Sequence, residues 1–282
     1  MQPESRFVES KGVKHHYLEW GSPENPNVVM FHAVGMCSQI WNNTARDLAR
    51  DYHVYSFDLR GHGDTEHPEG GFSFQQIGKD TASVIQALGL EGSIGVGHSA
   101  GGMSMLIADS MFPGIVSKGV LVDTRVGDSP MALLTPEEQE LRVKRTLQKR
   151  LVWESREVMY EAYRGRRVFK PWEDEVFADY IEGNTRLLDD GRVELKCKPY
   201  VEEEFYANRR DLDTSQLLRG LGGEYILLVG DYNGAQTPQD AAVQHLERET
   251  KGFQVKELGA GSHFVPMEHP ALVLKEIRNF ID

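Results

Sequence analysis

Cysteine is scarce in this chain: Cys37 and Cys197 stand far apart, and neither has a second cysteine or a histidine at metal-ligand spacing. That excludes a disulfide framework and leaves no reason to expect a metal centre, so two reduced thiols and no cofactor are expected. No run approaches the roughly 20 apolar residues that cross a bilayer. The polar start, Met1-Gln2-Pro3-Glu4-Ser5-Arg6, lacks the basic-then-apolar order of a signal peptide. Cytoplasmic residence away from membranes is the expectation. Positive charge is also in deficit, with 31 Lys and Arg against 43 Asp and Glu and a net charge of -12. The basic footprint of a nucleic-acid binder is therefore missing, and a highly anionic substrate is weakly disfavoured. Internal repeats and low-complexity tracts are absent too. What is present is an ordinary globular composition, 40% hydrophobic and 26% charged. It is long enough for a sizeable core.

The apolar residues fall into short blocks. Val13 to Trp20 reads as extended chain up to the turn cluster Gly21-Ser22-Pro23. Val28-Val29-Met30-Phe31 and His53 to Phe57 are continuous apolar runs, the mark of strands buried on both faces of a parallel sheet. Helical spacing occupies Ile40 to Arg50, Phe74 to Leu88 and Ala100 to Met111, with strands at Gly92 to Val96 and Gly119 to Val122. This alternation predicts an α/β fold with a mostly parallel sheet flanked by helices. The rhythm breaks after Val126. Thr135-Pro136-Glu137-Glu138 carries a capping residue, proline at the first helical position and glutamate three residues after the cap. The charged, aromatic-rich stretch beyond it reads as helical, without a clear buried strand. Strand Tyr225 to Val229, strand Val255 to Leu258 and helix Ala271 to Ile281 restore the pattern. The expected division is a core over 1–127 and 215–282, with a helical insertion over 128–214.

Gly97-His98-Ser99-Ala100-Gly101 has the form G-x-S-x-G between an apolar strand and a helical segment. A serine on so sharp a turn has a strained backbone and exposes its hydroxyl, and its neighbours must lack side chains for the turn to close. The helix start behind it favours developing negative charge. Serine at its free pKa is a poor nucleophile and needs an adjacent base.

Four segments together resemble the α/β-hydrolase superfamily in its cap-bearing branch: Phe31 to Gly35, Asp58 to Asp64, Gly97 to Gly101, and Gly261-Ser262-His263-Phe264-Val265-Pro266-Met267-Glu268-His269-Pro270. The resemblance implies an α/β-hydrolase fold with a helical cap at the insertion. It implies Ser99 as nucleophile, His263 as base, and the backbone N–H groups of Val34 and Ala100 as oxyanion donors. Ala33 stands where that family usually has glycine. His98 occupies the variable position of the turn, where side chains pack rather than react.

The third catalytic member is where the chain departs from the common pattern. Many members place the acid three residues after the glycine that ends the late strand, and here that residue is Asn233. A neutral amide does not stabilise an imidazolium, and in serine proteases such a change costs roughly 10⁴-fold in turnover. Three arrangements are open: Asp123 at the end of the preceding strand, as in a minority of the superfamily; Asp231 in the usual loop; or Asn233 merely orienting the ring. Asp123 is preferred.

Trp153, Tyr163, Phe169 and Trp172 from the insertion, with Met36 and Met103 beside the oxyanion segments, are candidate substrate contacts, although cap aromatics commonly pack a core of their own. Arg164, Arg166 and Arg167 read as a solvated face. The leading expectation is hydrolysis of a carboxylic ester or lactone, a small molecule with a carbonyl group. Hydrolysis of a C–C bond in a vinylogous diketone would use the same triad. A hydrolase-like receptor with incidental turnover is a further class. Epoxide hydrolysis and dehalogenation both want aspartate in place of Ser99. Nothing in the sequence excludes a homodimer.

Overall fold

The computed structural model describes residues 1–126, 135–207, 214–231, 250 and 252–282. Strands β1 (Glu4–Ser10), β2 (Val13–Trp20), β3 (Asn27–Phe31), β4 (His53–Phe57), β5 (Ser93–His98), β6 (Val116–Val122), β10 (Glu224–Val229) and β11 (Phe253–Glu257) form one sheet in the order β1-β2-β4-β3-β5-β6-β10-β11. β1 and β2 pair antiparallel, as do β2 and β4, and the remaining neighbours run parallel.

The two-residue period of a strand decides which core each side chain joins. Val28 and Met30 enter one cluster with Val54, Val96 and Val120, where they meet Ala45 and Leu48 of α1 (Asn42–Leu48) and Val273 and Ile277 of the terminal helix (Pro270–Ile281). Val29 and Phe31 enter the other, with Ile77 and Ile85 of α2 (Phe74–Leu88) and Leu106 and Ile107 of α3 (Ala100–Met111). Helices thus cover both faces, and full burial of β4 and near-full burial of β3 explain their unbroken apolar runs. α2 coincides with its expected limits. Ser73 caps it by accepting from the Gln76 N–H, and Gly89 ends it at φ 66°.

Between β6 and β10 lie α4 (Pro136–Leu147), β7 (Val152–Trp153), α5 (Arg156–Arg164), α6 (Asp174–Gly183), β8 (Thr185–Leu187), β9 (Val193–Leu195), α7 (Pro199–Ala207) and α8 (Thr214–Arg219). Helix α4 begins with the expected reciprocal cap, Thr135 with the Glu138 N–H and Glu138 with the Thr135 N–H. A small antiparallel sheet, β7-β9-β8, was not expected. Strands of two or three residues are too short to print an alternating pattern. β1 was missed for another reason: it is a charged edge strand with mostly exposed side chains. The expected boundary at 127 and 128 lies outside the described residues.

The intervening segment is tied to loops that leave the carboxyl ends of the strands. The Glu173 N–H donates to Met267 O at 2.9 Å, Lys196 pairs with Asp64 at 2.7 Å, and the Asn184 amide donates to Cys37 Sγ at 3.3 Å. It therefore sits over the sheet edge where α/β proteins bind ligands. No helix among the described residues is long and apolar enough to cross a membrane.

α2 and α3 approach so closely that a Cβ on Gly78 would lie 2.2 Å from Ile107 Cγ2. Alanine improves helix propensity by about 1 kcal/mol, but the clash with a buried β-branched side chain should win. Gly78→Ala is predicted to lower stability by about 1–3 kcal/mol in urea unfolding. Adding Ile107→Ala should cost less than the sum of the two single changes. Additive losses would contradict this packing.

Candidate active site

Ser99 lies between the end of β5 and the first residue of α3 with φ 53° and ψ −110°. Such backbone costs on the order of 1–3 kcal/mol and persists only where the surroundings impose it. Here the Ser99 N–H donates to Val122 O on β6 at 3.0 Å, and Ser99 O accepts from the Met103 N–H at 3.0 Å. The glycines are required by contact. A Cβ on Gly97 would meet Gly102 N at 2.5 Å, and one on Gly101 would meet Phe31 O at 2.3 Å. The second contact also brings the start of α3 against the loop that follows β3.

Three non-glycine residues among those described have positive φ, and two of them are Ser99 and Asp123. Asp123 directly follows β6. Because His98 pairs with Val122, Ser99 and Asp123 leave neighbouring strands at the same level. The Asp123 carboxylate is fully buried. Its Oδ2 lies 2.6 Å from His263 Nδ1, and its Oδ1 accepts a long hydrogen bond from the Gly230 N–H at 3.4 Å. A carboxylate can only accept, so His263 Nδ1–H donates this bond and Nε2 is the ring nitrogen left for other contacts. The structure thus brings His263 to Asp123. Asp231 stands at the end of β10 with its N–H on Ala260 O, and Asn233 lies outside the described residues.

The His263 loop is fixed from within and from the nucleophile turn. Glu268 accepts from the Ser262 N–H and hydroxyl at 2.5 and 2.7 Å. His98 Nε2–H donates to the His263 carbonyl at 2.7 Å, with the two rings 5.0 Å apart. The residue taken only as packing therefore ties the Ser99 turn to the His263 loop. Burial, reinforced by the neighbouring His263, pushes His98 down to about 3.

The loop after β3 carries Val34. Among the described residues, neither the Val34 nor the Ala100 N–H is engaged by another backbone carbonyl. His32 accepts the Leu59 N–H at Nε2 (3.0 Å), so its Nδ1–H donates to Ala33 O (2.7 Å). In a trans peptide the next N–H points away from that carbonyl, so this bond sets the direction of the Val34 donor. Burial lowers His32 and keeps it neutral. Asp58 anchors the neighbouring loop by accepting from His16 Nδ1, the Ser38 N–H and the Asp64 N–H. Burial is the largest influence and opposes its charge, but the His16 contact, neighbouring His32 and the Asp64 N–H together outweigh it and hold Asp58 down to about 2. His16, Asp58 and Asp64 stand close enough to share a cation. Hydrogen bonds, and the pairing of Asp64 with Lys196, account for all three.

The candidate substrate contacts divide. Met36 is buried with Trp153, Tyr163 and Trp172, and Phe169 packs against them; Met103 is buried in the cluster on the opposite face. The aromatics form a ladder: Trp153 edge-on to Tyr163 at 5.5 Å, Tyr163 stacked on Phe169 at 5.1 Å, and Phe169 against Trp172 at 5.0 Å. Trp172 then meets Phe264 at 5.5 Å, and Phe264 meets the His263 ring at 5.3 Å. Arg164 is a tie rather than a solvated residue, donating to Phe169 O and Trp172 O and pairing with Asp174, whereas Arg166 and Arg167 are exposed.

A family profile described as the alpha/beta hydrolase family matches residues 28–276. The chain belongs to this family. Among curated relatives of this chain, the non-heme chloroperoxidase of Streptomyces lividans is 34% identical over 116 residues, 40% of this chain and 42% of that protein. The chain thus spans well under half the length of that relative. The 2-(acetamidomethylene)succinate hydrolase of Mesorhizobium japonicum is 24% identical over 99% of this chain and 95% of its own length. A crystal structure of E-2-(acetamidomethylene)succinate hydrolase superposes with a TM-score of 0.85 at 22% identity, covering 99% of both chains. At that identity the superposition speaks for the fold.

Local pattern had flagged Ser99, His263, Val34 and Ala100, but not the supporting hydrogen bonds of His32, His62, His98 and Glu268. The histidines did carry a signal, since each lies within a segment already singled out. Glu268 lies inside the histidine loop and could have been read as its brace.

His62, like His98, is held near 3, first by burial and then by its neighbour His32. Both rings stay neutral in the fold but take a proton in the unfolded chain below its ordinary value near 6.5. The unfolded state therefore binds more protons between about pH 6.5 and 3, and stability falls as pH drops through that window. We predict that His98→Gln flattens the slope of unfolding free energy against pH near pH 5 by about 1.4 kcal/mol per pH unit. An unchanged slope would show that His98 titrates normally in the fold.

Proposed function

We propose that this hydrolase cleaves a carboxylic ester or lactone through an acyl-enzyme on Ser99. The observation that carries the proposal is the 2.6 Å contact between His263 Nδ1 and buried Asp123, beside a serine in strained left-handed backbone. In this reading His263 Nε2 removes the Ser99 proton as Oγ attacks the substrate carbonyl. The Val34 and Ala100 N–H groups receive the oxyanion, an effect worth about 2.7–4 kcal/mol per donor in turnover. The leaving group departs with the proton from His263. Water, deprotonated by the same nitrogen, then attacks the acyl-enzyme and frees Ser99. Asp123 stays ionised, orients the ring and stabilises the imidazolium.

The segment over 128–214 acts as a cap in this reading, and Met36, Trp153, Tyr163, Phe169 and Trp172 line the apolar part of the substrate site, with Met103 packed in the other core. The partner is a small molecule with a carbonyl, handled in the cytoplasm without metal or cofactor. A second reading, hydrolysis of an acylated amine, is favoured by the relative aligned along 99% of the chain, whose name specifies 2-(acetamidomethylene)succinate. Both readings use the same triad.

The discriminating experiment pairs p-nitrophenyl esters with p-nitroacetanilide. Ser99→Ala should lose on the order of 10⁴- to 10⁶-fold in turnover on whichever substrate is cleaved. Asp123→Asn should lose about 10⁴-fold, with Asp231→Asn close to wild type. Collapse only on Asp231→Asn would reject the Asp123 assignment. A single slow turnover with a ligand-induced rise in melting temperature would favour a receptor over an enzyme.

A further inference from the structure

The loop that carries Val34 is gripped at the next residue as well. The Gly35 N–H donates to His62 Nε2 at 2.9 Å, and His62 Nδ1 lies 2.9 Å from Arg60 O. A backbone amide can only donate and a carbonyl can only accept, so this ring is neutral with its proton on Nδ1. It is fully buried, and it packs against Phe205 of α7 at 5.7 Å. Gly35 has φ 78°, and a Cβ there would lie 3.0 Å from Glu202 Oε2, also on α7. Glu202 is itself held, with both carboxylate oxygens bonded by Lys149 Nζ at 2.7 and 2.5 Å. Gly35 is thus clasped between an imidazole acceptor from the loop after β4 and a charge-paired carboxylate from the intervening segment.

We propose that His62 is a positioning residue of the oxyanion hole, fixing the Val34–Gly35 peptide through the Gly35 N–H and thereby the aim of the Val34 donor. The inference rests on the serine-hydrolase reading, in which Val34 is that donor. His32 holds the peptide before Val34 and His62 the peptide after it, so both planes flanking the donor are set by neutral histidines whose tautomers the backbone dictates. No part of His62 touches substrate in this arrangement. Its effect belongs to the charged intermediate rather than to substrate binding, because the oxyanion forms only after attack.

The test compares His62→Gln, whose side-chain oxygen reaches the position of Nε2, with His62→Leu and His62→Asn, which offer Gly35 no acceptor at that reach. On p-nitrophenyl acetate, His62→Leu and His62→Asn should lower kcat about 10- to 100-fold with KM little changed, and His62→Gln should restore most of the rate. Amide exchange at Gly35 should accelerate in Leu and Asn but not in Gln. Should Leu fail to fold, the polar pair Asn and Gln carries the comparison. Unchanged kcat in Asn, an equal loss in Gln and Asn, or a kcat loss without faster Gly35 exchange would overturn the proposal. The exchange measurement needs no substrate. It therefore judges the His62 contact separately from the Ser99→Ala result, on which the hydrolase reading stands or falls.

Discussion

A fully buried carboxyl group is the constraint around which this sheet edge is arranged. Asp123 has no solvent contact, and an ionised group in such a place is costly unless hydrogen bonds compensate it. The His263 ring and the Gly230 amide supply that compensation. Their positions follow from register. β6 lies between β5 and β10, so its terminal residue meets the nucleophile turn on one side and the start of the late loop on the other. The Asp123 N–H on Leu228 O ties its backbone to β10, while Val122 O holds the Ser99 amide. Two residues in left-handed backbone are thereby locked by adjoining strands, and the sheet bears the strain.

The histidines show how burial can turn a titratable side chain into a fixed connector. His32, His62 and His98 each contact a backbone carbonyl, and His32 and His62 also accept a backbone amide. Desolvation keeps the rings neutral, and neutrality lets one imidazole serve as donor and acceptor together. A charged ring could not accept, and the loops after β3 and β4 would lose the two attachments made through His32 and His62.

Much of this was legible in the residues because the strongest signals are local. A strand buried on both faces must be apolar throughout, and a serine turn pressed against two backbones must be glycine-rich; Val28 to Phe31 and Gly97 to Gly102 declare both. The acid was harder. Proximity of Asp123 to His263 depends on β6 and β10 being neighbours across a long intervening segment, which no window of sequence records. The argument from Asn233 was chemical rather than positional, and it pointed to the carboxylate that the ring in fact meets. Contacts such as Glu202 with Gly35 and His98 with the His263 carbonyl have no local pattern at all. The small β7-β9-β8 sheet was invisible for want of length.

The outermost strands carry a consequence for self-association. Among the described residues β1 and β11 are the border strands of the sheet, and they carry Glu4, Arg6 and Glu9 on one and Lys256 and Glu257 on the other. Charged side chains on an edge resist the addition of a further strand, since the incoming chain would have to strip water from each of them. Pairing of two copies through either of these borders is therefore disfavoured.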